Sequence, residues 1–406
     1  NTTIIDSMPS LQIESGKSIL LDLAGFTITV GNENTIINSG SLEITDSSDE
    51  KTGEILSTKG TVIKNNAEAT LNITEGTISS EATGTSNSYK IIIQNQGEFN
   101  TKGTITSTRS YINAINNEGE GRVTITGGNI KSSYAINNNS TNKVMITDGT
   151  ITGNINNANS GTIEVKGGKV EDINNVAGAI TISGGTTGRI DNKSTGTVTI
   201  TGGTTSNITN YGTLLIAEQN VPVLITGQVL NYNNGNTTIN GGTIKNDGGI
   251  YNSGTLTITK GTIICTDSRC LAISNSGTLT IGQKDGNLNE QIEIRHDGNT
   301  GVYNSGNLYY YGGTIKGKNA DDKGAILGKI NEIEENASLS VDIDGNLEVA
   351  SLVTKENVAE VDGEQFTSLN EAINKSAEGI VKILKNVSIV ESEKLEIASS
   401  KNITLD

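Results

Sequence analysis

One asparagine recurs along this chain at a spacing that few folds accommodate. It stands two residues after an aliphatic residue at Asn38, Asn65, Asn95, Asn117, Asn138, Asn157, Asn175, Asn192, Asn210, Asn231, Asn252, Asn275 and Asn304. The intervals run from 17 residues (175 to 192) to 30 (65 to 95). Even the shortest holds three short strands and three turns. The stretch Gly249–Ile263 shows the unit plainly: apolar pieces at Gly249–Tyr251, Leu256–Ile258 and Thr262–Ile263, separated by Asn-Ser-Gly and Lys-Gly turn chemistry. No such piece is stable alone. Stacked on the same piece of the next coil, about 4.8 Å away, it becomes a rung of a parallel sheet.

The fold class read from this is all-β, a parallel β-helix solenoid of about 14 coils, on the order of 70 Å long. A left-handed hexapeptide helix has a nearly fixed coil length, so the variable interval favours the right-handed form. Asn suits the bend because its amide donates and accepts along a stack while its backbone tolerates the left-handed region. The preferred reading is an inward asparagine ladder; the other is a set of exposed turn residues.

Composition agrees with a narrow core. Only 33% of the 406 residues are hydrophobic, Trp is absent, and there are 49 Gly. A solenoid coil buries two or three aliphatics and takes its cooperativity from its neighbours. The two prolines, Pro9 and Pro222, agree, since Pro removes ladder hydrogen bonds. Gly pairs close the strands at Thr124–Gly128, Thr181–Gly185 and Thr199–Gly203, where a positive φ permits a sharp corner.

A net charge of −16 weighs against nucleic acid and anionic membranes as partners. No apolar run is long enough to insert in a bilayer. The start at Asn1, without Met or a signal-like stretch, suggests a processed or excised piece. Cys265 and Cys270 flank a turn and form either a disulfide, in an exported protein, or two free thiols; they make a poor zinc site.

Loops bulge at Glu218–Pro222 and over Gly282–Asp297, the second carrying an extra strand at Glu290–Ile294. Leu339–Ile343 reads as the last solenoid strand, so residues 1–350 form the first domain. Residues 351–406 differ: a short helix after an N-cap at Thr367 carries Leu369, Ala372 and Ile373 on one face, and strands follow at Ile380–Leu384, Val387–Val390 and Leu395–Ile397. Asn386–Glu391 reads like Asn1–Asp6, and Ile403–Asp406 like Ile19–Asp22, at offsets of 385 and 384 residues (386 − 1 and 403 − 19). The chain is thus about one period of a tandem array, with neighbouring copies of the module as partners.

Leu21-Asp22-Leu23-Ala24-Gly25-Phe26-Thr27-Ile28 resembles the Leu-Asp-Leu-Asn-Gly-Lys-Thr-Ile motif of pectate-lyase-like, right-handed β-helix modules in large surface proteins of Gram-positive and gut bacteria. Ala24 and Phe26 depart from the usual Asn and Lys. Phe366–Ile373 resembles the helical lead-in of the same modules. The resemblance implies an extracellular, adhesin-like module on a bacterial surface. It also brings in polysaccharide lyases and glycoside hydrolases as the alternative.

The residues themselves point away from catalysis and call for no cofactor or metal. Acids such as Glu43, Glu75 and Glu164 are scattered, whereas glycoside hydrolysis wants two facing carboxylates. Asp342–Asn346 has only part of a calcium loop and reads as a turn, and His296, the one His, reads as a surface residue. Thr124–Thr126, Thr199–Thr201 and Thr257–Thr259 invite a remote ice-binding alternative, interrupted by Glu164–Lys166. Tyr211, Tyr232, Tyr251, Tyr303, Tyr309, Tyr310 and Tyr311 form the candidate face for a glycan or host-protein ligand, with Tyr211 stacking near Tyr232; the alternative is that they only stabilise the sheet. The expected function is a non-enzymatic stalk or adhesive shaft.

Overall fold

Apolar residues in this chain alternate over short runs between Gly and Asn corners, and each run lies in register on the equivalent run of the next coil. The computed structural model describes residues 4–5, 10–31, 34–86, 88–288, 291–376, 378–385 and 402–405. Three columns of parallel strands result. The asparagine column runs from Leu11–Ile13 to Ile326–Gly328 through fourteen successive parallel pairings, hence fifteen rungs. A second column starts at Ser18–Asp22 and a third at Ile4–Ile5. The chain is a parallel β-solenoid.

Register is strict because slipping by one residue would turn every inward aliphatic to solvent. Ile146, Val165, Ile182, Ile200 and Ile216 follow one another in one inward column, each fully buried. Corners are taken by glycine where the backbone demands it: Gly128, Gly185 and Gly203, the second glycines of the pairs, have φ of 78°, 74° and 86°.

The far end closes differently from expectation. Leu339–Ile343 is not a solenoid rung. It lies within Ala337–Asp344, the outer strand of an antiparallel hairpin with Leu347–Thr354, and the latter lies antiparallel on Thr314–Lys318. This unit therefore runs on to Thr354, beyond residue 350. Reversing direction ends the stack, since an antiparallel strand does not propagate the coil. Asp342–Asn346 is the hairpin's tip.

A separate small core follows, made of Ala359, Val361, Ala372, Ile373 and Val381. Its helix, Leu369–Lys375, is capped by Ser368, whose side chain accepts from Glu371 N; the cap is one residue later than Thr367. The strand expected at Ile380 is Glu378–Ile383. Pro9 and the strands expected at Val387–Val390 and Leu395–Ile397 lie outside the described residues. Ile292–Arg295 is not an extra strand but the third strand of its own coil, paired with Gly261–Ile264 and Glu293–Arg295 with Thr314–Lys316. No described helix is long and apolar enough to cross a membrane.

Candidate functional site

The inward ladder is complete. From Asn38 to Asn304 each Nδ2 donates to the Oδ1 of the asparagine one coil on, at 2.6 to 3.0 Å. Asn304, the last, donates to Lys329 O. Twelve of the thirteen are fully buried, and Asn304 is 5% exposed. Twelve of the thirteen also bind main chain at their own corner, as Asn157 does to Gly161 O, so the polar groups in the core are satisfied along the stack. Gly178 stands beside it because an added Cβ would lie 2.1 Å from Gly161 O and 2.3 Å from Asn157 Nδ2.

Directly outside, on the same strands, stands a second ladder that the sequence reading missed. Asn137 Nδ2 donates to Asn116 Oδ1, Asn156 to Asn137 and Asn174 to Asn156, each at 3.0 Å. Here the donor is in the later coil, the reverse of the inner ladder. The outer ladder stops at Asp191, in register with Asn174, because a carboxylate has no hydrogen to give. Asn174 Oδ1 and Asp191 Oδ1 are both buried without partners.

A groove of about 300 Å³ runs over this break, lined by Tyr134, Asn154, Asn156, Asp172, Asn174, Arg189, Asp191 and Lys193. Asp172 accepts from Arg189 N at 2.9 Å and meets its guanidinium at 3.6 Å; Asp191 meets Lys193 at 2.5 Å. The two acids come from adjacent coils, and each has a cation beside it. At one end Tyr134 packs edge-on against Tyr89, which also packs against Tyr111, at centroid distances of 5.1 and 5.8 Å. Tyr89 donates to Tyr134 Oη at 3.3 Å, and this hydrogen bond raises the Tyr89 pKa above the ordinary tyrosine value. Their positions differ by 22 and 23 residues (111 − 89 and 134 − 111), one coil each, a signal that was present in the spacing. At the other end Lys193 lies 5.7 Å over the ring of Tyr211. Tyr211 and Tyr232 are stacked, 4.7 Å apart with planes 10° from parallel.

The other tyrosines divide. Tyr251 and Tyr303, 39% and 44% exposed, occupy the outward column just before the ladder asparagines, with Ser274 between them. Tyr309 belongs to the next sheet, beside Thr280. Tyr310 and Tyr311 are not surface residues. Tyr310 stands between Ile281 and Ile333 in the inward column, fully buried, and its hydroxyl lies 2.7 Å from Gly313 O and 3.1 Å from Ala350 O, tying this coil to the closing hairpin. Burial pushes its phenol well above the usual range. Tyr311 is 7% exposed. Consecutive residues in a strand cannot share a face.

Cys265 and Cys270 are joined in a disulfide. His296 is buried, not on the surface: its Nδ1 accepts from Gly298 N and Asn299 N, and its Nε2 meets Asp267 O, all at 2.9 Å. Two donors on Nδ1 place the ring proton on Nε2. The three side chains gather within 4.8 Å, but the protonated Nε2 and the bonded sulfurs make this a lock between two stacked loops. Asn299 completes it by donating to Ser268 O and Cys270 O.

The threonine column does not make a regular array, being interrupted by Met145, Glu164 and Leu215. In comparisons with known proteins, no family model, curated protein or solved structure matches this chain.

Proposed function

We propose that this chain is a non-enzymatic shaft module of a bacterial cell-surface protein, a right-handed β-helix that stacks with further copies of itself and binds glycan along the outer face of its asparagine sheet. The observation that carries the reading is the continuity of that face: aromatic rings, amide ladder, two ion pairs and a stacked tyrosine pair follow one another over successive coils. Saccharides are recognised by planar amides and charged groups at their hydroxyls and by aromatic surface at their apolar patches. A shaft hydrogen-bonded along its axis holds such groups at a fixed spacing.

The acids Asp172 and Asp191 support the second reading, a carbohydrate-active enzyme, since they lie in one groove on adjacent coils. Their cation partners favour binding over acid–base chemistry. Probing the full chain against glycans and matrix proteins, with retention and release of reducing ends read together, separates the two. Retention without release, lost in Tyr211→Ala and Arg189→Ala, is expected; release abolished by Asp191→Asn establishes the enzyme instead. No retention by any glycan removes the binding face and leaves a spacer.

A further inference from the structure

The closing hairpin presents an edge that no described strand covers. Ala337–Asp344 is eight residues long. Among the described residues it is paired on one side only, with Leu347–Thr354, in a register without a bulge. Its Leu339 and Val341 lie across from Leu352 and Ala350, and so on the same face of the hairpin. Leu352 and Ala350 are buried in the solenoid core, whereas Leu339, Val341 and Ile343 are 40%, 51% and 57% exposed. The strand holds no Lys and no Pro, residues by which sheet proteins commonly blunt an edge, and an open edge is a template for another strand. It lies within the chain, between the last coil and the separate small core of Ala359 and Val381.

The order of residues along this edge selects the strand that fits it. Leu339-Ser340-Val341-Asp342-Ile343 is nearly symmetric in character about Val341. Laid antiparallel on a second copy, with Val341 facing its counterpart, the edge sets Leu339 across from Ile343 and Ile343 across from Leu339, all on one face. On the other face Asp342 falls opposite Ser340 and Asp344 opposite Ser338, so each acid meets a hydroxyl and none meets an acid. Ser340 already donates to Asp342 Oδ2 within its own strand, at 3.0 Å. A parallel pairing in the same register would instead bring Asp342 beside Asp342 and Asp344 beside Asp344, and neighbouring like charges destabilise a strand pair.

We propose that this edge is a self-recognition surface, by which two copies of the chain pair their Ala337–Asp344 strands antiparallel about a two-fold axis through Val341. The contact is isologous and closes at two copies. It satisfies the main-chain groups of an otherwise open edge and sets Leu339 and Ile343 of each copy against Ile343 and Leu339 of the other. It uses none of the residues of the proposed glycan-binding face and stands independently of that reading.

Sedimentation velocity on the full chain tests it, at physiological ionic strength, where repulsion between copies of net charge −16 is screened beyond about 8 Å. The weight-average mass is expected to rise with concentration and level off at about twofold the monomer. Val341→Lys sets two cations face to face at the axis and is expected to keep the chain monomeric at the same concentrations. Val341 is exposed, so the lysine leaves the fold intact, as circular dichroism verifies. Val341→Cys reads the symmetry. Both native cysteines are held in their own disulfide, and mild oxidation is expected to link two copies through the new thiol, whereas Leu339→Cys, which faces Ile343, links several-fold less. A chain that stays monomeric overturns the proposal and leaves the edge to a strand of a different protein. A dimer that Val341→Lys leaves intact, or in which Leu339→Cys links as readily as Val341→Cys, overturns it as well.

Discussion

Asn175 and Asn192 stand one coil apart, and the Nδ2 of the first donates to the Oδ1 of the second at 2.8 Å with both side chains fully buried. Asn192 in turn donates to Asn210, and also to Gly196 O and Thr213 O. Removing one member therefore orphans groups in the coils on both sides.

Asn192→Ala should destabilise the solenoid by about 3 kcal/mol, the cost of several lost bonds and of buried amide groups left unpaired. Asn66→Ala, whose amide binds Ser39 on the outside, should cost less than about 0.5 kcal/mol. Denaturant unfolding of the two variants measures the difference.

Asp191→Asn should stabilise the protein by about 1 kcal/mol. Its new Nδ2 would donate to the orphaned Asn174 Oδ1 and extend the outer ladder by one coil. The lost ion pair with Lys193 offsets little, because Lys193 is 42% exposed. A fall in melting temperature would show that the break in the ladder carries no penalty.

Ala24 has φ of 49°, the left-handed region that costs a Cβ-bearing residue about 1 kcal/mol. Ala24→Gly should recover about that amount, and Ala24→Asn part of it, as a rise in thermal stability. The strain also explains why Asn occupies this place in the motif that residues 21–28 resemble. Phe26, at the place of the usual Lys, is 66% exposed.

Burial pushes the Asp46 carboxyl up, but hydrogen bonds from Gly53, Ser48 and Gly25 outweigh it and hold the pKa at about 2, below the ordinary 3.8. These bonds join two coils, Gly25 to Gly53. A depressed carboxylate contributes its full stability above the unfolded pKa and loses it as pH falls through the folded one. Hydrogen exchange near Gly25 and Gly53 should therefore accelerate as pH is lowered from about 4 to about 2, after correction for intrinsic rates, and Asp46→Asn should remove that dependence.

Much of the solenoid was legible because its signals are local and repeated. The aliphatic two residues before each asparagine, and the Gly pairs at corners, recur whatever the loop length between them. The functional face was less legible. Tyr211 and Tyr232 were found because they follow successive ladder asparagines; Tyr89, Tyr111 and Tyr134 were passed over because the first lies beyond an irregular loop. His296 looked solitary, yet it locks onto Asp267 from the coil before, 29 residues away.

What the amino-acid order determined by itself is the coil: an alternation that buries one strand face, an amide that satisfies its copy above and below, and glycines where no Cβ fits. Those are nearest-neighbour demands, and each coil repeats them. Tertiary structure alone decided which side of the sheet becomes a continuous surface and how the stack ends. Stacking depth brings Asp172, Asp191 and the tyrosines together from coils of unequal length. The hairpin at Leu347–Thr354 stops the stack by running antiparallel, a direction that alternating side chains do not encode.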